Sequence, residues 1–304
     1  MSAPGGDDRR VVIFTDEPGW HGRVLTKALA ARGIVASYAS LKACALDLAG
    51  ARPRIVIPGF EDAPPAGAFV RGVPGGTLEE IILRLNMLHA LDLTGVPVYN
   101  RGKAIERSVD KGLTSFLLLN AGIPTPRTWV LEGRESARAV AAAALTQAQS
   151  LVMKPLFGSQ GEGLQRLYTL DDFDAATPVN GVYYLQTFIE RARLPYADYR
   201  VLVVGGRACF AMSRTSEHWI TNRARGAICA AVPLSEPLRE LAEAASAALE
   251  MDYAGIDLLQ DAAGKWWVGE VNGVPAWWGL QQACGPAVTA AIVDGFCAAL
   301  SRAA

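Results

Sequence analysis

The residues from Ser150 to Leu167 read SLVMKPLFGSQGEGLQRL. An apolar run ends in Lys154, a loop follows with glycines at 158, 161 and 163, and an alternating segment begins at Leu164. A lysine at a strand end facing a glycine-rich loop suits polyphosphate, because backbone N–H groups and a compact ammonium both meet anionic oxygens. Glycine permits the close approach. Lys154 precedes the glycines and no Gly-Lys-Ser/Thr occurs, so the run is not a P-loop. A dinucleotide fingerprint would open a helix, whereas Leu164-Gln165-Arg166-Leu167-Tyr168 reads as a strand. An ordinary hairpin with a glycine-rich turn is the competing reading.

A second constellation lies in the hairpin from Gly255 to Asn272. Glu270 and Asn272 are two apart and share a strand face. With a turn at Asp261–Gly264, Gln260 faces Lys265 and Asp257 lies opposite Val268, on the face of Glu270. Two carboxylates and an amide make a hard-oxygen set of the kind that holds magnesium on nucleotide phosphates. The alternative is a solvated outer face, although acidic and amide residues are depleted in strands. Between the two constellations fall Asp198, Arg200, Arg214, Asn222, Arg223 and Arg225. Asp198 and Arg200 share a strand face, and arginines clamp carboxylate or phosphate and stabilise developing negative charge. For Arg191, Arg193 and Arg207 surface solubility is the preferred reading.

Strand–helix alternation must position these groups. Residues 1–103 read as a parallel α/β unit: strands at 11–15, 35–38, 54–58 and 96–100, helices at 24–31 and 77–91. A second unit, 104–182, opens with a helix over 104–120 carrying Asp110-Lys111. The sequence AGIPTP ends that helix. An alanine-rich helix at 136–148 and the Lys154 hairpin follow. The third unit, 183–304, is strand-rich, with Gly205-Gly206 turning a hairpin, a helix near 236–251, the 254–272 hairpin and a closing helix near 286–301.

The chain has 304 residues, is 51% hydrophobic and 19% charged, and carries a net charge of −1. This is a globular composition that gives no support for nucleic-acid binding. Arginine outnumbers lysine 23 to 6, which makes each lysine more informative. Five cysteines without CxxC spacing read as reduced thiols in a cytoplasmic protein, and no apolar run reaches membrane-spanning length. Three scattered histidines offer no metal-ligand pair.

The blocks DKGLTSFLLLNAGIPTP, LVMKPLFGSQGEG, DYRVLVVGGR, TNRARGA, YAGIDLL and GEVNGVP, in this order, resemble the ATP-grasp superfamily, and within it the RimK-like α-L-glutamate ligases. The resemblance covers about Asn100 to the end. It implies an α/β (α+β) architecture, with an N-terminal parallel pre-ATP-grasp domain and two α+β domains clamping ATP. Lys111 and Lys154 match phosphate-contacting lysines, and Gly158, Ser159, Gln160, Gly161 and Gly163 form the loop over ATP. Gln186-Thr187-Phe188 matches the adenine-bordering strand, with Thr187 where the family has glutamate. Asp198 matches an acidic residue near the ribose, with Arg200 on its face, and Asn222 a nucleotide or metal contact. Asp257, Glu270 and Asn272 match magnesium ligands, with Mn2+ as a substitute. Arg214 and Arg225 match arginines near an acyl-phosphate.

The ending Asn272-Gly-Val-Pro-Ala-Trp-Trp departs from the usual Asn-x-x-Pro-Gly. Trp277 and Trp278 read as an aromatic wall or as core packing. The ending is more like the branch acting on tetrahydromethanopterin or methanofuran cofactors than the one acting on ribosomal protein tails. The implied reaction is ATP-dependent joining of an amino acid to a small-molecule acceptor, with no nucleic-acid or membrane partner and with a homo-oligomer allowed. Competing classes are ligation to a protein C-terminus, another peptide or D-amino-acid ligase, and a catalytically inactive nucleotide-binding regulator.

Overall fold

The structure is a computed structural model that describes residues 9–158 and 161–303. Three sheets carry the architecture. The first is parallel, in the order Ile34–Ala39, Arg9–Phe14, Ala68–Val70, Val98–Tyr99. Its central strand buries Val11 to Phe14 completely, as expected for a strand covered on both faces. The expected strand at 54–58 is not part of this sheet. Arg54–Val56 pairs antiparallel with Ala45–Asp47 in a separate ribbon, and Ala68–Val70 takes the place beside the central strand. Burial explains the exchange, since Ala68, Phe69 and Val70 are fully enclosed whereas Arg54 is exposed. The first helix begins earlier than expected, at Gly19, and runs to Ala30.

The helix expected over 104–120 is two helices, Gly102–Val109 and Lys111–Asn120. Asp110 separates them in an extended conformation, and its carboxylate accepts from Leu113 N at 2.9 Å. Such a side-chain cap satisfies a helix-start N–H, and it sets Lys111 on the first turn.

The second sheet is antiparallel, in the order Thr128–Glu132, Val182–Thr187, Leu151–Lys154, Gln165–Leu167. Val182–Thr187 thus pairs inside this sheet, which runs past the boundary expected near 182. Helices Arg134–Leu145 and Leu170–Ala175 cover it through Ala137, Ala141, Ala144 and Phe173, forming a core that draws on no other unit.

The third sheet is antiparallel, in the order Ile228–Ala231, Arg207–Ser216, Tyr196–Val204, Tyr253–Gln260, Trp266–Asn272. Helix Glu236–Ala248 packs on one face. On the other, the closing helix Ala287–Ala303 shares a core with the parallel sheet, joining Ile292, Val293 and Phe296 to Phe69, Tyr99, Leu202 and Tyr253. Asn100 is fully buried at that junction. Its amide donates to Tyr253 O and Gly273 O, each at 2.6 Å, and accepts from the N–H groups of Asp252 and Tyr253. A buried amide with every bond satisfied fixes one register between two units.

The register of the 253–272 hairpin differs from the expectation. Gln260 faces Trp266, not Lys265, and Asp257 faces Glu270, not Val268. Asp261 caps the turn by accepting from Ala263 N and Lys265 N, each at 2.9 Å, which lengthens the loop by one residue. Gly269 then bulges, adding a second. Among the described residues no single helix is long and apolar enough to cross a membrane.

Candidate functional site

The second and third sheets face one another across a cleft. A cavity of about 150 Å³ in it is lined by Lys154, Gln186, Thr187 and Phe188 from one side and by Asp198, Arg214, Asn222, Asp257 and Glu270 from the other. A smaller recess adjoins it, lined by Lys111, Lys154, Gly158, Gly161, Asn222 and Glu270. Residues more than a hundred positions apart, singled out for polyphosphate and for metal, therefore line continuous spaces.

Lys154 ends its strand beside Tyr184, its cross-strand neighbour. The ammonium donates to Gln186 Oε1 at 2.7 Å and lies 5.8 Å from the Tyr184 ring centroid. Gln186 is held in turn, its Nε2 donating to Thr128 Oγ1 and the Tyr184 hydroxyl. Burial pushes the Lys154 pKa down to about 8, with Glu270 opposing and Lys111 adding to the shift. Lys111 donates to Gly158 O at 2.8 Å and, more distantly, to Leu156 O. Burial lowers its pKa too, against the pull of Glu270. Both ammoniums are thus held by neutral groups, a state that an anionic ligand would relieve.

The glycine loop reaches across the cleft. Gly161 has φ +73°, and a Cβ there would stand 2.7 Å from Asn222 Oδ1 and from Ile220 Cγ2. Only glycine fits both the left-handed backbone and that approach. Ser159 and Gln160 lie outside the described residues.

On the opposite sheet the acidic groups are engaged. Asp198 accepts from Arg214 Nε at 2.6 Å, Arg214 Nη2 at 2.5 Å and Thr221 Oγ1 at 2.8 Å. Asp257 accepts from Arg200 Nε and Nη2, each at 2.6 Å, and pairs with Arg214 Nη2 at 2.8 Å. Burial alone would raise the Asp257 pKa, but Arg200 and Arg214 hold it down at about 2. Burial pushes the Asp198 carboxyl up, against the pull of Arg214. Burial acts to discharge Arg214, and its two aspartates more than offset that.

Glu270 opposes Asp257 and accepts no hydrogen bond among the described residues. Asn272 donates through Nδ2 to Gly255 O at 3.1 Å, which turns its Oδ1 the other way. Glu270 and Asn272 therefore offer oxygen donors suited to a hard cation, with Asp257 held behind them by guanidiniums. One or two carboxylates with phosphate and water is the set magnesium takes on nucleotides, so the residues fit the ion. Among the described residues no cluster of three His, Cys, Asp or Glu forms a metal site.

Arg225 lies apart from the Arg214 network, on an exposed turn at Arg223–Arg225. The guanidinium of Arg223 stacks 3.6 Å from the Trp278 ring centroid. Trp277 is buried to 1% and packs in the shared core, so only Trp278, half-buried, presents a wall. Sequence reasoning passed over several cleft residues. Tyr184 shares a strand face with Gln186, so the two-residue rule would have found it. Arg191, read as surface, lines the cavity and donates to Ala197 O at 2.9 Å. Thr221, which bonds Asp198, carries no local signal.

Residues 108–295 match the RimK-like ATP-grasp domain. The chain belongs to the RimK-like ATP-grasp family. A tetrahydromethanopterin:α-L-glutamate ligase of Methanococcus maripaludis is 35% identical over 221 residues, covering 71% of this chain and 73% of that protein. An α-aminoadipate–LysW ligase of Saccharolobus solfataricus is 29% identical over 194 residues, 61% of this chain and 68% of that one. The ATP-grasp ligase PsnB, solved with a minimal precursor, Mg and ADP, superposes with a TM-score of 0.74 over 97% of this chain and 99% of its own, at 19% identity. The fold is thus ATP-grasp, as the sequence blocks implied.

Proposed function

We propose that this RimK-like protein is an ATP- and magnesium-dependent ligase that joins the amine of L-glutamate to a carboxylate of a small-molecule acceptor. The observation that carries the reading is one cleft holding two lysines whose hydrogen-bond partners are neutral, facing an uncommitted carboxylate, Glu270. Lys154 and Lys111 suit the triphosphate. The Thr187–Phe188 backbone suits the adenine edge, with Thr187 leaving that recognition to main-chain groups. Glu270 and Asn272, backed by Asp257, would hold magnesium, which when bound neutralises charge on the phosphate oxygens.

The acceptor carboxylate attacks the γ-phosphoryl group and ADP leaves. The glutamate amine then attacks the acyl carbon and expels phosphate. Arg214 is assigned to developing oxyanion charge, and the lid excludes water that would hydrolyse the acyl-phosphate. No covalent nucleophile is needed, so most of the task is positioning and charge neutralisation. Asp198 and Arg200 are assigned to holding Arg214 and Asp257 in place.

The likeness to a tetrahydromethanopterin ligase supports a pterin-like C1-carrier acceptor, and the half-buried Trp278 under Arg223 suits a flat ring. A cytoplasmic location suits an ATP-consuming enzyme whose five cysteines are unpaired. The test is incubation with ATP, magnesium, L-glutamate and a carboxylated pterin, reading ADP release and a mass increase of one or more glutamyl groups. ADP release without any glutamyl adduct would overturn the ligase reading.

A further inference from the structure

Arg71 lies outside the nucleotide cleft, directly after the buried strand Ala68–Val70. That strand lies on one side of Arg9–Phe14, while Ile34–Ala39 lies on the other side of Arg9–Phe14. The order of strands therefore reverses between Arg9–Phe14 and Ala68–Val70. Their carboxyl ends flank the crevice where open parallel sheets receive ligands. Arg71 stands at one lip, and Trp20 and His21, on the helix after the first strand, stand at the other.

The side chain is unusual for a buried cation. Its Nε is sealed from solvent and has no hydrogen-bond partner. One Nη donates weakly to Val274 O at 3.4 Å, two residues beyond Asn272. The guanidinium stacks 5.2 Å from the Trp277 ring centroid, and His21 packs against that ring at 4.6 Å. Among the described residues no carboxylate pairs with it, although Arg200, Arg214, Arg166 and Arg107 each have one. The residue as a whole stays partly exposed, so a ligand has access. A charge enclosed without a counter-ion is costly, and an incoming carboxylate removes that cost. His21 Nε2 accepts from the Trp277 N–H, and burial pushes its pKa down to about 4, so it adds no second charge.

We propose that Arg71 is the carboxylate-recognition residue of the ligation substrates, holding a carboxylate that does not react. This rests on the ligase reading above. The carboxylate comes either from glutamate or from a second acid group on the acceptor, and the experiment separates the two.

The test uses the full chain as wild type, Arg71→Met and Arg71→Lys. Thermal shift is read first, with ADP and magnesium present, on titration with L-glutamate and succinate. Wild type should gain stability with L-glutamate or succinate, Arg71→Met should lose that gain, and Arg71→Lys should keep part of it. Arg71→Met should unfold no earlier than wild type without ligand, because it removes an unpaired charge and keeps the volume. A wild type without any carboxylate-dependent shift overturns the proposal, as does a Met variant that retains it.

In turnover, Arg71→Met should raise KM at least tenfold for one carboxylate substrate while KM for ATP stays within twofold. A rise for glutamate assigns the site to the amine donor, and a rise for the acceptor assigns it there. Unchanged KM values with a lowered kcat overturn it in favour of a structural role. A wild type that shows the thermal shift yet forms no glutamyl adduct sinks the ligase reading and leaves the carboxylate site standing.

Discussion

The two walls of the cleft handle charge in opposite ways. On the lid Lys154 rests on an amide oxygen, and Lys111, from a helix packed into the floor's core, reaches lid carbonyls. On the floor Asp198 and Asp257 are locked to Arg200 and Arg214 by hydrogen bonds of 2.5 to 2.6 Å. Packing follows the same division. The lid has a core of its own, whereas the floor shares one with the parallel sheet and the closing helix. The floor is therefore a pre-built electrostatic platform, and the lid carries a cation whose partner must arrive with the ligand. Preorganised charge is effective because it need not be rearranged during reaction. A lid with its own core can shift without breaking the floor.

Lys154→Ala attacks the lid side of this contrast and should have the largest effect. ADP release should fall by about 100- to 1000-fold, the scale for loss of one transition-state charge donor. Because Lys154 pairs with no carboxylate, the variant should unfold at no lower temperature than wild type. Calorimetry beside a coupled ADP assay checks both. Turnover near wild type would remove Lys154 from the phosphate site.

Arg214→Met attacks the floor and should behave in the reverse way. It leaves Asp198 and part of Asp257 uncompensated in a buried position, which costs about 3–5 kcal/mol. Denaturant unfolding should register that loss. An unchanged midpoint would mean the floor is not electrostatically locked. Glu270→Gln should be milder on the fold, since Glu270 accepts no hydrogen bond among the described residues. The magnesium needed for half-maximal ADP release should rise at least about tenfold, the low end of the affinity lost when a group supporting a metal is removed. An unchanged magnesium titration would move the ion elsewhere.

Most of the chemistry-bearing residues were legible because their signals are local. A lysine before glycines, and Glu270-x-Asn272 on one strand face, need only the two-residue period. The helix break at Asp110 was not legible: an aspartate inside one apolar-periodic stretch gives no local sign that it will cap a second helix. The arginine–aspartate pairs were not legible, because they depend on register across the sheet. Cys209 is an unpaired extra residue in the hairpin turned by Gly205-Gly206, and the resulting bulge sets Asp198 opposite Arg214. Gly269 does the same for Asp257 and Glu270. A one-residue slip reverses every side chain's face, so two bulges decide which charges meet. The strand Ala68–Val70 was missed because three residues are too few for a period, and with it went Arg71.

The smallest effect separates the walls by pH. The Lys154 pKa is pushed down to about 8 in the unliganded protein, from 10.5 for a free side chain. Between those values the folded state binds fewer protons than the unfolded one. The cost of burying the ammonium, present in full below about 8, is therefore relieved as pH rises through this window. This group's contribution to unliganded stability increases with pH. ATP binding responds with the opposite sign, because it needs the ammonium. Affinity should fall about threefold from half a unit below pH 8 to half a unit above it, following the protonated fraction. Asp257 contributes nothing to this slope, since it is ionised throughout the range. Isothermal titration of ATP across pH 7 to 9, in wild type and in Lys154→Arg, isolates the effect. The arginine variant stays charged and should bind with a flat profile. An equal slope in both proteins would assign the pH dependence to Lys111, to the floor or to the nucleotide, and would remove Lys154 as its source.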